Sequence, residues 1–203
     1  MKPSLCHLFR AGRVALQHIP KGAPPTAPGL THINAAGSAH MVNIADKPVS
    51  QRSATAAGRI MFSCSSTLAH LHAANNKKGD VLGVARVAGI MAVKRTADLI
   101  PLCHPGLRLT RIECELAVVG NGSEPTSDGS SSGSGTGVEV RTTVDCEGRT
   151  GVEMEALVGA MASLATVYDM CKAVDKGMVI GDVRVVRKVG GRHDYGEEAA
   201  EGK

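Results

Sequence analysis

Apolar positions recur along the chain with two periods, and the changes between them mark the elements. Residues 54–62 (ATAAGRIMF) carry a strand pattern. Residues 80–97 place Val84, Ala88 and Met91 on one helical face, and Asp80 stands at the opening position that favours a side-chain cap. Pro101 and Pro105 then bracket a short loop, Leu102-Cys103-His104. Residues 107–119 and 138–147 alternate again and predict the two strands of a long hairpin. A second helix is predicted from Val152 to about Val174. Thr150 and Glu153 have capping-box spacing at its start, and Gly177 offers a left-handed stop just past its end. On this helix Leu157, Met161, Leu164, Tyr168 and Cys171 form a stripe expected to face a sheet. A last strand covers 178–189.

Strand, helix, strand, strand, helix, strand is the order of the split βαβ unit. The expected fold class is therefore α+β and ferredoxin-like, with a largely antiparallel sheet and two helices on one face. The other face then needs a cover, either the N-terminal segment or a partner subunit. The domain is expected over residues 30–193. Residues 120–137 (GNGSEPTSDGSSSGSGTG) cannot bury enough apolar surface to fold, and read as a flexible loop inside the hairpin. Residues 1–29 read as a basic, Pro-rich leader and 194–203 as a disordered tail.

Composition narrows the function classes. Apolar residues make up 43% of the 203 positions, but aromatics only 2%, with no Trp. The core must be Val, Leu, Ile, Ala and Met, and platforms for stacking bases are lacking. Lys2, Arg10, Arg13 and Lys21 account for all of the +4 net charge, because the first thirty residues hold no Asp or Glu. The rest is formally neutral and has no basic run, which argues against a nucleic-acid partner. No apolar run is long enough to span a bilayer, so no membrane partner is expected either. The leader, with Leu5, Leu8, Phe9, Val14 and Leu16 among its basic residues, reads either as a mitochondrial targeting segment or as a Pro-rich extension or fusion remnant. Six scattered cysteines without a C-x-x-C pair read as free thiols. Cys103 and His104 are adjacent, but the paired spacing of a zinc site is missing.

The second helix carries most of the candidate chemistry. Glu155, Ala162 and Asp169 recur every seven residues, and Lys172 follows Asp169 by three, so those two side chains can touch. Spacing alone leaves two readings: a surface salt bridge of little energetic worth, or an acid–base pair tuned by mutual contact. Glu155 and Asp169 are separated by fourteen residues, roughly 21 Å along a helix axis. One small substrate cannot readily reach both within one subunit, so two antiparallel copies of the helix become a specific expectation. His104, between rigid prolines, is well mounted for catalysis. Arg52, Lys77, Lys78, Lys94 and Arg95 are either solvated charges or a cradle for phosphate. Neither a Walker pattern nor a G-x-G-x-x-G opening a helix is present.

Four runs carry a resemblance: LTHINAAGSAHMV (30–42), KGDVLGVARVAGIMAVKRTADLIPLCHP (78–105), GRTGVEMEAL (148–157) and YDMCKAVDKGMVIGDVRVVRKVGG (168–191). Together they resemble the MoaC family of cyclic pyranopterin monophosphate synthases, over about residues 30–193. The resemblance implies a phosphorus–oxygen lyase of molybdenum-cofactor biosynthesis. It implies a ferredoxin-like subunit in dimers that build a hexamer, with sites at the dimer interface. The implied substrate is the 3′,8-cyclo-7,8-dihydro derivative of GTP, rearranged to cyclic pyranopterin monophosphate with release of diphosphate. By motif, Asp169 and Lys172 resemble the catalytic pair, and Lys78 a catalytic or phosphate-side lysine. Leu102, Cys103, His104, Met154 and Glu155, with Glu153 and Arg52, resemble substrate-contacting residues, His104 counting among the catalytic candidates too. No cofactor is required by this chemistry, although Mg2+ can accompany the triphosphate. Asn43 and Arg192 stand where the family commonly has Asp and Lys. A ferredoxin-like module that binds a nucleotide or partner without chemistry is the alternative.

Overall fold

The structure, a computed structural model, describes residues 30–64, 66–72, 80–120, 135–191 and 193–196. The leader 1–29, Lys77, Lys78, most of the 120–137 stretch and residues 197–203 lie outside the described residues. Within them the chain runs β1 (Ser50–Met61), α1 (Ser66–His72), α2 (Val81–Lys94), α3 (Thr96–Leu99), β2 (Arg108–Val119), β3 (Gly137–Gly148), α4 (Glu153–Cys171), β4 (Val179–Val189) and β5 (Tyr195–Gly196). The strands lie in the order β2-β3-β1-β4-β5, every pairing antiparallel. Helix α4 lies along β1, β3 and β4, and α2 packs on α4 and reaches β2, so both long helices share one face. This is the expected α+β architecture with an antiparallel sheet.

Alternation explains the sheet. On β3, Val138, Val140, Thr142, Val144 and Cys146 are buried, while Glu139, Arg141, Asp145 and Glu147 point the other way. Their partners on β1 are small, Ala54 opposite Val144 and Ala56 opposite Thr142. Small side chains let α4 sit close, and Leu164 fills the space that Gly58 leaves: a Cβ there would stand 3.0 Å from Leu164 Cδ1. Full burial of Leu164 contributes about 2–3 kcal/mol. The two helices touch through glycine as well. A Cβ on Gly159 would meet Val93 Cγ2 at 2.6 Å and Thr142 Cγ2 at 2.8 Å.

Several expectations need correction. The sheet face away from the helices is not uniformly apolar but carries paired charges: Arg111 with Asp145 (2.8 Å), Arg108 with Glu147 (2.6 Å), and Arg59 with Asp182. The helix expected over 80–97 breaks at Arg95, although Asp80 caps it as expected, its Oδ1 accepting from Gly83 N at 2.9 Å. Val84 and Met91 share a face, but an exposed one; the buried side is Val81, Ala85, Gly89 and Val93. Thr150 does not cap α4. Val152 holds that position without a side-chain bond, and Glu153 pairs with Lys188 instead. The helix ends at Cys171, and Gly177 is not left-handed. Met161 faces outward, whereas Leu164 and Cys171 of the same stripe are buried. Past residue 193, Tyr195 and Gly196 pair with Lys188 and Arg187, so ordered chain extends into the expected tail.

One buried carboxylate ties the turn after α4 to the segment that follows β1. Asp175, 3% exposed, follows α4. It accepts from the backbone N–H of Ser63 (2.9 Å), Cys64 (3.3 Å) and Gly177 (3.0 Å), from Thr67 Oγ1 (3.1 Å) and from the Ser63 hydroxyl. Burial pushes its carboxyl up, but these donors outweigh burial and hold it below the usual carboxylate range.

Candidate active site

A pocket of about 420 Å³ opens where three segments meet. The loop after α3 supplies Leu102, Cys103 and His104. Its shape follows from Pro101, Pro105 and Gly106, the last at φ 72°, and from Cys103 N donating to Ile100 O at 3.1 Å. The first turn of α4 supplies Glu153, Met154 and Glu155. The third wall is the N-terminal segment, through Thr31, His32, Val42, Ile44 and Lys47. Arg149, just before α4, holds that wall by donating to Ala45 O.

The electrostatics of the pocket are divided. Glu155 is only 5% exposed. Burial, reinforced by the neighbouring Glu153, pushes its carboxyl up. A carboxyl held neutral can donate a hydrogen bond as well as accept one. Glu153 is instead matched by Lys188 of β4 at 2.9 Å. The Cys103 thiol is pushed up by burial and by Glu155, so it stands as a thiol and not as a nucleophilic thiolate. His104 lines the pocket, and its Nε2 is buried and has no hydrogen-bond partner.

The other candidates lie apart from this pocket. Arg52 of β1 donates from Nε to Gly148 O at 3.1 Å, two residues before the lining residue Thr150. Asp169 and Lys172 are in contact at 2.5 Å near the far end of α4, with 63% and 54% of their side chains exposed. The hydrogen bond and charge of Asp169 push the Lys172 ammonium up, so the pair stands as an ion pair. Neither borders the pocket. Lys78 lies outside the described residues. Among the described residues, no three His, Cys, Asp or Glu are placed to share a metal ion, and no helix is long and apolar enough to cross a membrane.

Sequence reasoning missed His32, Lys47 and Lys188. The first lies in a run that carries the resemblance, but nothing in its spacing marks it as a wall of the pocket. Lys188 sits in an alternating strand, where a basic residue reads as solvated. Only the packing of β4 beside α4 brings it to Glu153.

Residues 41–191 match the model of the MoaC family. A protein of Parvibaculum lavamentivorans, named cyclic pyranopterin monophosphate synthase, is 50% identical over 82% of this chain and 95% of its own length. One of Cereibacter sphaeroides with the same name is 48% identical over 85% of this chain and 99% of its own length.

Proposed function

The chain belongs to the MoaC family, and we infer from that membership and from its pocket that it acts as a cyclic pyranopterin monophosphate synthase. It converts (8S)-3′,8-cyclo-7,8-dihydroguanosine 5′-triphosphate to cyclic pyranopterin monophosphate and diphosphate, in the biosynthesis of molybdenum cofactor. The carrying observation is the convergence of Leu102-Cys103-His104 and Glu153-Met154-Glu155 on one pocket, in a chain about half identical to proteins of that name along nearly their whole length. The test is direct: incubate the purified chain with the cyclic triphosphate and follow pyranopterin and diphosphate. Stoichiometric release of both is expected. A folded chain that binds the substrate but releases neither would favour the binding module.

The reaction has two demands. Closing the phosphate onto a sugar hydroxyl requires cations for the anionic oxygens and the leaving diphosphate. Arg52, Lys78 and His104 suit that task, with Mg2+ entering on the triphosphate. Opening the guanine-derived ring and closing the pterin ring requires proton transfers and no redox cofactor. Asp169 and Lys172, in contact at 2.5 Å, suit this work. Leu102, Cys103, Met154 and the carboxyls of Glu153 and Glu155 hold and orient the heterocycle.

Asp169 and Lys172 act, in this reading, from a second copy of the chain. Two observations support it: the roughly 21 Å between Glu155 and Asp169 along α4, and the absence of the pair from the walls of the pocket. A two-fold dimer with antiparallel α4 helices brings one helix start beside its partner's end, and dimers of this kind are the units of a hexamer. Both relatives are bacterial proteins and lend nothing to a mitochondrial leader; a cytoplasmic location is the reading they support.

A further inference from the structure

The N-terminal wall of the pocket is built in a way that fixes one particular nitrogen. Residues 30–40 fold back on themselves through their own bonds. Asn34 Oδ1 accepts from Ala36 N (3.0 Å) and Ser38 N (2.9 Å), Gly37 turns the chain at φ 79°, and Ile33 bridges to Ala39. His32 and His40 close the turn twice. His40 N donates to His32 O at 2.9 Å, and the His32 ring contacts His40 O through Nδ1 at 3.2 Å. A carbonyl oxygen can only accept, so that Nδ1 carries the proton. In the neutral ring, Nε2 then holds a free lone pair and is an acceptor.

His32 borders the same pocket as Glu153, Glu155 and His104. The bicyclic heterocycle of the cyclic triphosphate is rich in donors: an amide N–H, an exocyclic amino group and the one ring N–H, at N7, of its dihydro form. Such a ring needs several acceptors around it. Glu153 supplies one, although it is shared with Lys188. Lys47 on the same wall can only donate. We propose that His32 is a further substrate-contacting residue, whose Nε2 accepts a hydrogen bond from an N–H of the heterocycle while His40 O locks the ring's orientation. The segment 30–47 is then a recognition element of the site and not only its wall. This rests on the synthase reading above.

The test compares wild type with His32→Ala and His32→Gln, the second keeping a side-chain acceptor at similar reach. Losing one neutral hydrogen bond should raise KM for the cyclic triphosphate about three- to tenfold. The expected result leaves kcat within about threefold and the melting temperature unchanged, with His32→Gln recovering part of the loss. Imidazole 15N spectra should show His32 as the Nδ1–H tautomer both free and with bound substrate. Unchanged KM and unchanged substrate affinity in His32→Ala would overturn the proposal while leaving the synthase reading intact. So would a doubly protonated His32 in the complex. A wild-type chain that binds the substrate without turnover would overturn the synthase reading, and its affinity relative to His32→Ala would still decide the role of His32. No binding at all would overturn both.

Discussion

Glu155 and Asp175 are two buried carboxyls with opposite pH behaviour, and each yields a prediction. Burial raises Glu155, so its contribution to stability is full below the ordinary glutamate pKa and is lost as pH rises through the higher folded value. Glu155→Gln cannot ionise. Its urea midpoint should gain on wild type as pH rises above the ordinary glutamate range, while turnover falls at least about tenfold; a difference that does not change with pH would contradict the burial argument. Asp175 is held low, so its stabilisation is full above the ordinary aspartate pKa and disappears as pH falls through the lower folded value. Asp175→Ala should cost about 2–4 kcal/mol at pH 7, since charged hydrogen bonds are lost and buried donors are stranded. Its stability should also vary less than wild type's below pH 4, which denaturation curves at several acidic pH values would reveal. At this scale the sequence was partly legible. Leu102, Cys103, His104, Glu153, Met154 and Glu155 were named through resemblance, and the fold brings them to one pocket. Asp175 was invisible, because four of its five donors lie more than a hundred residues earlier and no local spacing records them.

Among elements, the contact between α2 and α4 is the least tolerant of change. Gly159→Ala would drive a methyl into Val93 and Thr142, neither of which has a free side to retreat to. Overpacking of this kind should cost about 1–3 kcal/mol, read as a lower melting temperature with the substrate KM little changed; a melting temperature equal to wild type would show that the helices can separate freely. The same contact explains which elements the sequence revealed. Buried β3 alternates without interruption from Val138 to Cys146 and was placed within a residue or two. The start of α4 is legible to within a residue but its cap is not: the spacing of Thr150 and Glu153 suggests a capping box, while Glu153 is drawn away by Lys188 from another strand. The break at Arg95 gave no signal either, since Thr96 and Ala97 continue the helical pattern. Helix α1 escaped notice because it is one short stretch tied by Asp175 through Thr67.

For the whole molecule, the proposed sharing of one site between two copies of the chain makes a sharp prediction. Chains carrying Glu155→Gln and chains carrying Asp169→Asn should each be nearly inactive. Unfolded together and refolded as random dimers, half the dimers are mixed, and each mixed dimer regains one of its two sites. About a quarter of wild-type activity should return; no recovery from a mixture shown to contain mixed dimers would place both residues in one subunit. The strand order has a consequence of another kind, in time. β1 is made early but lies in the interior of the sheet, between β3 and β4. Between Met61 at the end of β1 and Val189 at the end of β4 lie 128 residues of synthesis, roughly 6–26 s at ribosomal speed. Until β3 is complete at Gly148 both edges of that strand are unsatisfied, and the edge that β4 covers stays open to the end of the interval. Stalled chains ending before residue 178 should therefore be cut readily within β1 by protease. The cell must shelter its first strand until the last has arrived.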